Sequence, residues 1–361
     1  MNAVDPALRQ GEVGSGRDMG TARRAPGASG AVFAGPANTV ALLPRAAPLG
    51  GYAFSAGFGD GTVLSADGVR EHSGPGAPEA VKVIAHEAAV TGLAMVSGTL
   101  VSAGQDGTVR TEDGVIATPG GWAEHLTATP DRRGFAVVSG RAVVTGTLDG
   151  EAARFADHPS TVSGLAFAPD GRQLAASHYN GVTIWSTKTG AKVRTLAFKG
   201  SHIGVSWSPD ARFIVSTTQE RELHVWDLAT DKDYRLGGYA AKVRSLAWLT
   251  EPMHLVCSGA DAITAWPFGD VGPGVLPPKE IGFAYKATVA RVAVDPARSR
   301  VAGGYTDGAV LLGGVRKGEA SYLRTPDGDA VTALAISPDG LVLAGTRAGR
   351  IEIIAFSGTV Q

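Results

Sequence analysis

Along most of the chain, short runs of alternating apolar and polar residues are cut off by turn signals. Val162-Ser-Gly-Leu-Ala-Phe-Ala-Pro-Asp-Gly171 and Val331-Thr-Ala-Leu-Ala-Ile-Ser-Pro-Asp-Gly340 show this most clearly, and Ile203-Gly-Val-Ser-Trp-Ser-Pro-Asp210 keeps the same order. A period of two sends neighbouring side chains to opposite faces of a strand. The Pro-Asp-Gly that follows is a turn, because Pro presets φ, Asp bonds its own backbone and Gly takes positive φ. A second turn recurs as Asp-Gly between apolar runs, in Gly59-Asp60-Gly61-Thr62-Val63, Gln105-Asp106-Gly107-Thr108-Val109 and Thr306-Asp307-Gly308-Ala309-Val310. Asp-Gly flanked by alternating apolar residues predicts a hairpin. Tyr179-Asn180-Gly181 and Arg347-Ala348-Gly349 are weaker versions.

The pattern is a repeat. First strands are expected near Val40, Val90, His125, Val162, Ile203, Val243, Val289 and Val331, with gaps of 35 to 50 residues. The mean, about 42, falls within the roughly 40–45 residues of a propeller blade. Units that open on an apolar strand, three of which end their third strand in Trp while five lack it, resemble degenerate WD40 repeats of the β-propeller family. The Trp-Asp dipeptide survives as Trp226-Asp227, while Trp185-Ser186 and Trp266-Pro267 hold the same place at the end of a third strand. The resemblance implies an all-β fold, a single β-propeller of four-stranded antiparallel blades over residues 31–361, preceded by a disordered tail over 1–30. Eight units favour eight blades. Seven is the alternative, because the unit Trp122–Phe155 lacks the Pro-Asp-Gly order and the polar landmarks. The last unit shows only three strands, so Ala31–Gly35 is expected to supply its outer strand and close the ring.

The resemblance also implies a hydrogen-bonded set in each blade, made by a His before the first strand, a Ser or Thr in the second, the turn Asp and the third-strand Trp. His86, Ser102 and Asp106 fit three of these places, with Glu112 in the place of the Trp. His158, Ser177, Asn180 and Trp185 approximate all four in another unit. Their expected role is structural, satisfying buried polar groups.

Composition narrows the function. Thirty-three basic residues face 34 acidic ones, a net charge of -1, which gives no electrostatic reason to expect nucleic acid. The 50 glycines, spread through a strand pattern, accord with many tight turns. One cysteine, Cys257, excludes an internal disulfide framework and leans towards a reducing compartment. Arg23-Arg24 suggests a twin-arginine leader, but the segment behind it is broken by Gly35, Pro36 and Asn38. The expectation is therefore a cytoplasmic protein without membrane association. The eight histidines do not fall at ligand spacing, although His178 and His202 sit in neighbouring units, so neither a metal nor another cofactor is expected. The first strands carry mainly Val, Leu, Ala, Phe, Ile, Ser and Thr, with Glu124 the main acidic exception and Asp295 at a turn. Without two carboxylates on inner strands there is no acid/base pair to assign.

What remains is surface, and function concentrates on loops borne by a rigid scaffold. The loops between second and third strands carry Phe58, Gln105, His178, Tyr179, Gln219, Arg221, Tyr305 and Arg347. Aromatic and Arg side chains are favoured interface anchors, so these eight are the expected partner-binding face. The segment Phe268–Glu280, with Pro273, Pro277 and Pro278, is either a second contact site or a loop. The favoured function is a non-catalytic, monomeric scaffold for other proteins. The alternative is an enzyme or a small-ligand or metal binder acting at the central channel.

Overall fold

The computed structural model describes residues 29–34, 38–45, 52–69, 81–155, 158–269, 272–283, 286–316, 318 and 320–355. Most of the expected tail, including Arg23-Arg24, lies outside these residues. So do Gly35 and Phe356, the outer limits expected for the closing strand and the last unit.

Alternating patterns become strands throughout. The chain opens with β1 (Ser29–Ala34). A first meander follows as β2 (Thr39–Arg45), β3 (Tyr52–Phe58), β4 (Thr62–Val69) and β5 (Val81–Ala85). The second comprises β6 (Val90–Val96), β7 (Thr99–Gly104), β8 (Val109–Thr111) and β9 (Gly114–Ala117). The third comprises β10 (Glu124–Ala128), β11 (Phe135–Ser139), β12 (Ala142–Thr147) and β13 (Gly150–Phe155). Next come β14 (Gly164–Phe167), β15 (Gln173–Ser186), β16 (Lys192–Trp207), β17 (Phe213–Thr218), β18 (Leu223–Asp227) and β19 (Lys232–Leu236). Two further meanders are β20 (Leu246–Thr250), β21 (Met253–Cys257), β22 (Ala262–Pro267) and β23 (Lys279–Phe283), then β24 (Val289–Asp295), β25 (Arg300–Tyr305), β26 (Val310–Gly314) and β27 (Ala320–Arg324). The chain ends with β28 (Val331–Ile336), β29 (Val342–Thr346) and β30 (Arg350–Ala355).

Hydrogen bonds join these strands into seven sheets, not eight separate ones. Six have four strands and one has six, β14 to β19. The reason is strand continuity across the units at Val162 and Ile203. β16 pairs with β15 up to Ala197 and Ser201, then with β17 from His202 to Trp207. β15 itself folds back at Asn180-Gly181, because Thr187 N donates to Arg172 O (3.0 Å) across the two ends of the strand. Gly181 has φ +144°, and a Cβ there would lie 2.1 Å from Leu196 O, so this turn requires glycine. The doubtful unit at 122–155 is a complete four-stranded sheet.

The innermost strands follow one another around an axis. β2 packs against β6, β6 against β10, β10 against β14, and β14 against β16. Trp248 Nε1 on β20 donates to Ser206 Oγ on β16 (2.9 Å), and β20, β24, β28 and β2 then neighbour in turn. Thr332 Oγ1 donates to Thr39 O (2.6 Å), linking the last inner strand to the first. The result is an all-β propeller of antiparallel sheets arranged in a ring. β1 pairs antiparallel with β30 over six residues, Ser29 opposite Ala355 through Ala34 opposite Arg350. Hydrophobic clusters fill the spaces between adjacent sheets. One joins Phe213, Val215 and Val225 to Leu255, Cys257 and Trp266, so each blade buries the apolar face of its neighbour.

Candidate interaction face and channel

Two sets of loops emerge on one face of the ring, those joining second to third strands and those leading from an outer strand to the next inner one. The second-to-third turns are rigid. Asp106 Oδ1 accepts from Thr108 N (3.0 Å) and Thr108 Oγ1 (2.8 Å), and Asp60 holds Thr62 in the same way. Asp307 Oδ1 accepts from Ala309 N (3.0 Å). These are Asx turns that spare the backbone an unmet donor.

The expected polar sets form in part, and each unit solves the problem differently. His86 joins Asp106 through Nδ1 (3.0 Å) and Ser102 Oγ through Nε2 (2.8 Å). Burial works against the Asp106 carboxylate, yet bonds from His86, Thr108 and the Glu87 amide hold its pKa below the ordinary value. Glu112 does not take the Trp place: β8 stops at Thr111, and Glu112 is exposed in the turn beyond it. In the next landmark unit Trp185 Nε1 donates to His158 Nε2 (2.9 Å), while His158 Nδ1 bonds to Arg141 O (2.9 Å). That arrangement places the His158 proton on Nδ1. Ser177 and Asn180 do not join them. Ser177 Oγ is buried without a partner, and Asn180 Oδ1 accepts instead from Gly200 N (3.3 Å). Asn180 takes φ +68° in the turn, a conformation Asn tolerates better than most residues.

Two further sets were missed in the sequence. His202 Nε2 bonds to Phe198 O (2.9 Å) and its Nδ1 to Ser216 Oγ (2.7 Å). Tyr239 occupies the His place in another unit, and Trp266 Nε1 donates to its hydroxyl oxygen (2.7 Å). Burial pushes the Cys257 thiol beside it up to about 12. The signal was present, since Tyr239 stands four residues before Val243 as His86 stands before Val90 and His158 before Val162. Asp227 of the Trp-Asp pair accepts from Arg212 Nε (3.1 Å) and Nη2 (2.7 Å) and from Ala229 N (3.0 Å). These bonds, Arg212 first, hold its carboxyl down at about 2. His224 lies stacked on Phe198 (3.6 Å between centroids) and edge-on to Trp226. Its Nε2 is 3.1 Å from Asp233, but Asp233 is mostly in solvent. Burial outweighs that contact and, with His202 and Arg235, lowers the ring to about 3.

The eight expected contact residues divide. Tyr179, at 52% exposure, and Gln219, Arg221 and Arg347 are exposed on the loop face, with Gln105 half-buried. Phe58, Tyr305 and His178 are buried and are not available to a partner. Phe58 packs with Phe54, Leu343 and Ile351. The Tyr305 ring fills the cluster around Ile263 and Leu311, and its hydroxyl donates to Gly282 O (2.8 Å). His178 is tied to Tyr179 O and Thr183 Oγ1 (both 2.8 Å), which occupies both ring nitrogens. These three stand where the turn begins, and its strand-side residues face the neighbouring sheet. Exposed Trp122 (59%) and Phe283 (58%), in segments leading to inner strands, belong to the same face and were not singled out in the sequence. Phe268, expected in a loop, is core, whereas Val275 and Leu276 behind it are exposed.

The inner strands carry more charge than the sequence suggested. Glu124 and His125 lie on β10, Arg291 lies on β24, and Arg244 precedes β20. Asp295 is not free for proton transfer, because Arg298 Nη1 binds it at 2.9 Å. Among the described residues no three His, Cys, Asp or Glu side chains cluster as metal ligands. Nor is any described helix long and apolar enough to cross a membrane. At the opposite mouth of the channel, Leu43, Pro44, Met95, Arg132, Pro296 and Pro338 help to line a cleft of about 870 Å³.

Comparison with known proteins agrees with this geometry. The family profile described as WD domain, G-beta repeat matches residues 150–186 and 190–227, the two units that merge into the six-stranded sheet. WD repeat-containing protein 1 of Xenopus tropicalis is 35% identical over 81 residues, 21% of this chain and 13% of that protein. WD repeat-containing protein AAC3 of Dictyostelium discoideum is 24% identical over 159 residues, 43% of this chain and 33% of its own length. Cell division cycle 20.1, cofactor of APC complex, of Arabidopsis thaliana is 30% identical over 80 residues, 21% and 18% of the two chains. The matched regions thus span a third or less of these relatives. The crystal structure of the computationally designed Ika8 protein superposes with a TM-score of 0.69 at 18% identity, covering 89% of this chain and 96% of that one, a likeness of fold alone. With its repeat period, its propeller ring and its retained Trp-Asp unit, the chain is a β-propeller that carries two matches to the WD40 repeat and is similar over part of its length to WD repeat-containing proteins.

Proposed function

We propose that this propeller is a cytoplasmic, non-catalytic scaffold that holds partner proteins on its loop face. WD40 propellers generally act by binding other proteins. The observation that carries the reading is the pairing of rigid turns with exposed aromatic and Arg side chains on one face: Trp122, Tyr179, Phe283, Arg221 and Arg347. Such residues contribute most of the energy of protein interfaces when a partner desolvates them. The relative named as a cofactor of a complex points the same way.

The scaffold is read as eight radial units. β15 is a hairpin and β16 serves as outer strand of one unit and inner strand of the next, so the six-stranded sheet counts as two blades. β1 is read as the outer strand of the last blade, fastening the two ends of the chain. The test is affinity capture with tagged protein from its native host, beside a triple variant Trp122→Ala, Tyr179→Ala, Arg221→Ala shown by circular dichroism to be folded. A stoichiometric protein partner lost with the variant supports the reading. A partner held equally by both moves the interface elsewhere, and no partner at all overturns the scaffold.

A further inference from the structure

Arg244, exposed just before β20, and Arg291, half-buried on β24, sit at the same level of neighbouring units. Ser245 fixes that level: its Oγ accepts from Val292 N (3.0 Å) and donates to Val292 O (3.3 Å), so the residue before each rung partner is an arginine. The backbone is held rigidly, since Ser258 Oγ accepts from both Arg244 N (3.1 Å) and Ser245 N (3.0 Å). Arg291 spends one donor on Ala290 O (3.0 Å). Among the described residues no carboxylate forms an ion pair with either guanidinium, whereas Arg212, Arg235, Arg298, Arg324 and Arg350 all have one. Burial lowers the Arg291 pKa, and the neighbouring Arg244 charge lowers it further. Two like charges held on a fixed backbone, with Arg291 partly desolvated, are unfavourable unless an anion joins them.

We infer that Arg244 and Arg291 form a site for a phosphate-type oxyanion on the inner strands around the propeller axis. Two guanidinium forks match the charge and the several acceptor oxygens of a phosphoryl dianion better than those of a single carboxylate. The site is independent of the loop-face reading and needs no partner protein. It is tested on the full chain with inorganic phosphate, by isothermal titration calorimetry at low salt. Saturable 1:1 binding is expected, at least 10-fold weaker in Arg244→Gln and in Arg291→Gln and lost in the double variant, with acetate failing to compete. A phosphoserine peptide titrated alongside separates two sources of the same group. Binding at least 10-fold tighter than inorganic phosphate assigns a phosphorylated chain, and equal binding assigns the free ion. Absence of saturable binding, or equal binding by the double variant, overturns the site. A control that does not depend on binding is the melting temperature in phosphate-free buffer. Arg291→Gln is expected to melt no lower than wild type, and a lower melt would show a structural Arg291 and overturn the inference.

Discussion

Replacing Asp227 by Asn tests how the one intact Trp-Asp unit stabilises the fold. The carboxylate is fully buried, while Arg212 keeps 31% of its side chain in solvent. Its folded pKa of about 2 against an ordinary value of 3.8 corresponds to about 2.5 kcal/mol at neutral pH, taking about 1.36 kcal/mol per pH unit. Solvent around Arg212 screens the pair and trims this to about 1–2 kcal/mol. Because the folded pKa is depressed, this stability is present above pH 3.8 and fades as pH falls towards 2. Urea unfolding of wild type and Asp227→Asn at pH 7, 5 and 3 reads the difference directly. The gap should be equal at pH 7 and 5 and roughly halved at pH 3, as follows from the two pKa values. A gap near zero at pH 7, or one that does not narrow by pH 3, would refute the assignment of this energy to the Asp227–Arg212 pair.

Neutral, buried His224 must be protonated on unfolding in mild acid. With its pKa lowered from 6.5 to about 3, the fold should lose about 2 kcal/mol between pH 7 and 5, a loss that His224→Phe removes if packing is kept. Tyr305→Phe, which strands Gly282 O, should cost about 1–3 kcal/mol, and Tyr305→Ala about 3–5 kcal/mol by emptying a core site; a surface-like effect below about 0.5 kcal/mol would return Tyr305 to the interface. Tyr179→Ala and Arg347→Ala, by contrast, should leave the urea midpoint unchanged, because both side chains are exposed. Removal of residues 1–34 should lower the melting temperature by opening the edge of β30, and identical melting would show that β1 contributes nothing.

The sequence alone determined the repeat, because a two-residue alternation and Asp-Gly or Pro-Asp-Gly turns are local signals that each unit carries within itself. It determined the His86–Ser102–Asp106 set and the Trp185–His158 pair for the same reason. Which turn residues are surface follows from their place in the repeat, and the packing of the neighbouring sheet gives that place its meaning. Phe58, His178 and Tyr305 stand one place earlier in the repeat than Gln105, Gln219 and Arg347, at the end of the second strand, so the neighbouring sheet covers the former, while the latter lie in the turn, half-buried at Gln105 and exposed at Gln219 and Arg347. Register across blades is likewise non-local, so the approach of Arg244 to Arg291 emerges only once adjacent strands are packed. The merging of two units through β16 is decided there too: sequence spacing marks where a unit begins, but not whether the strand before it breaks or runs on.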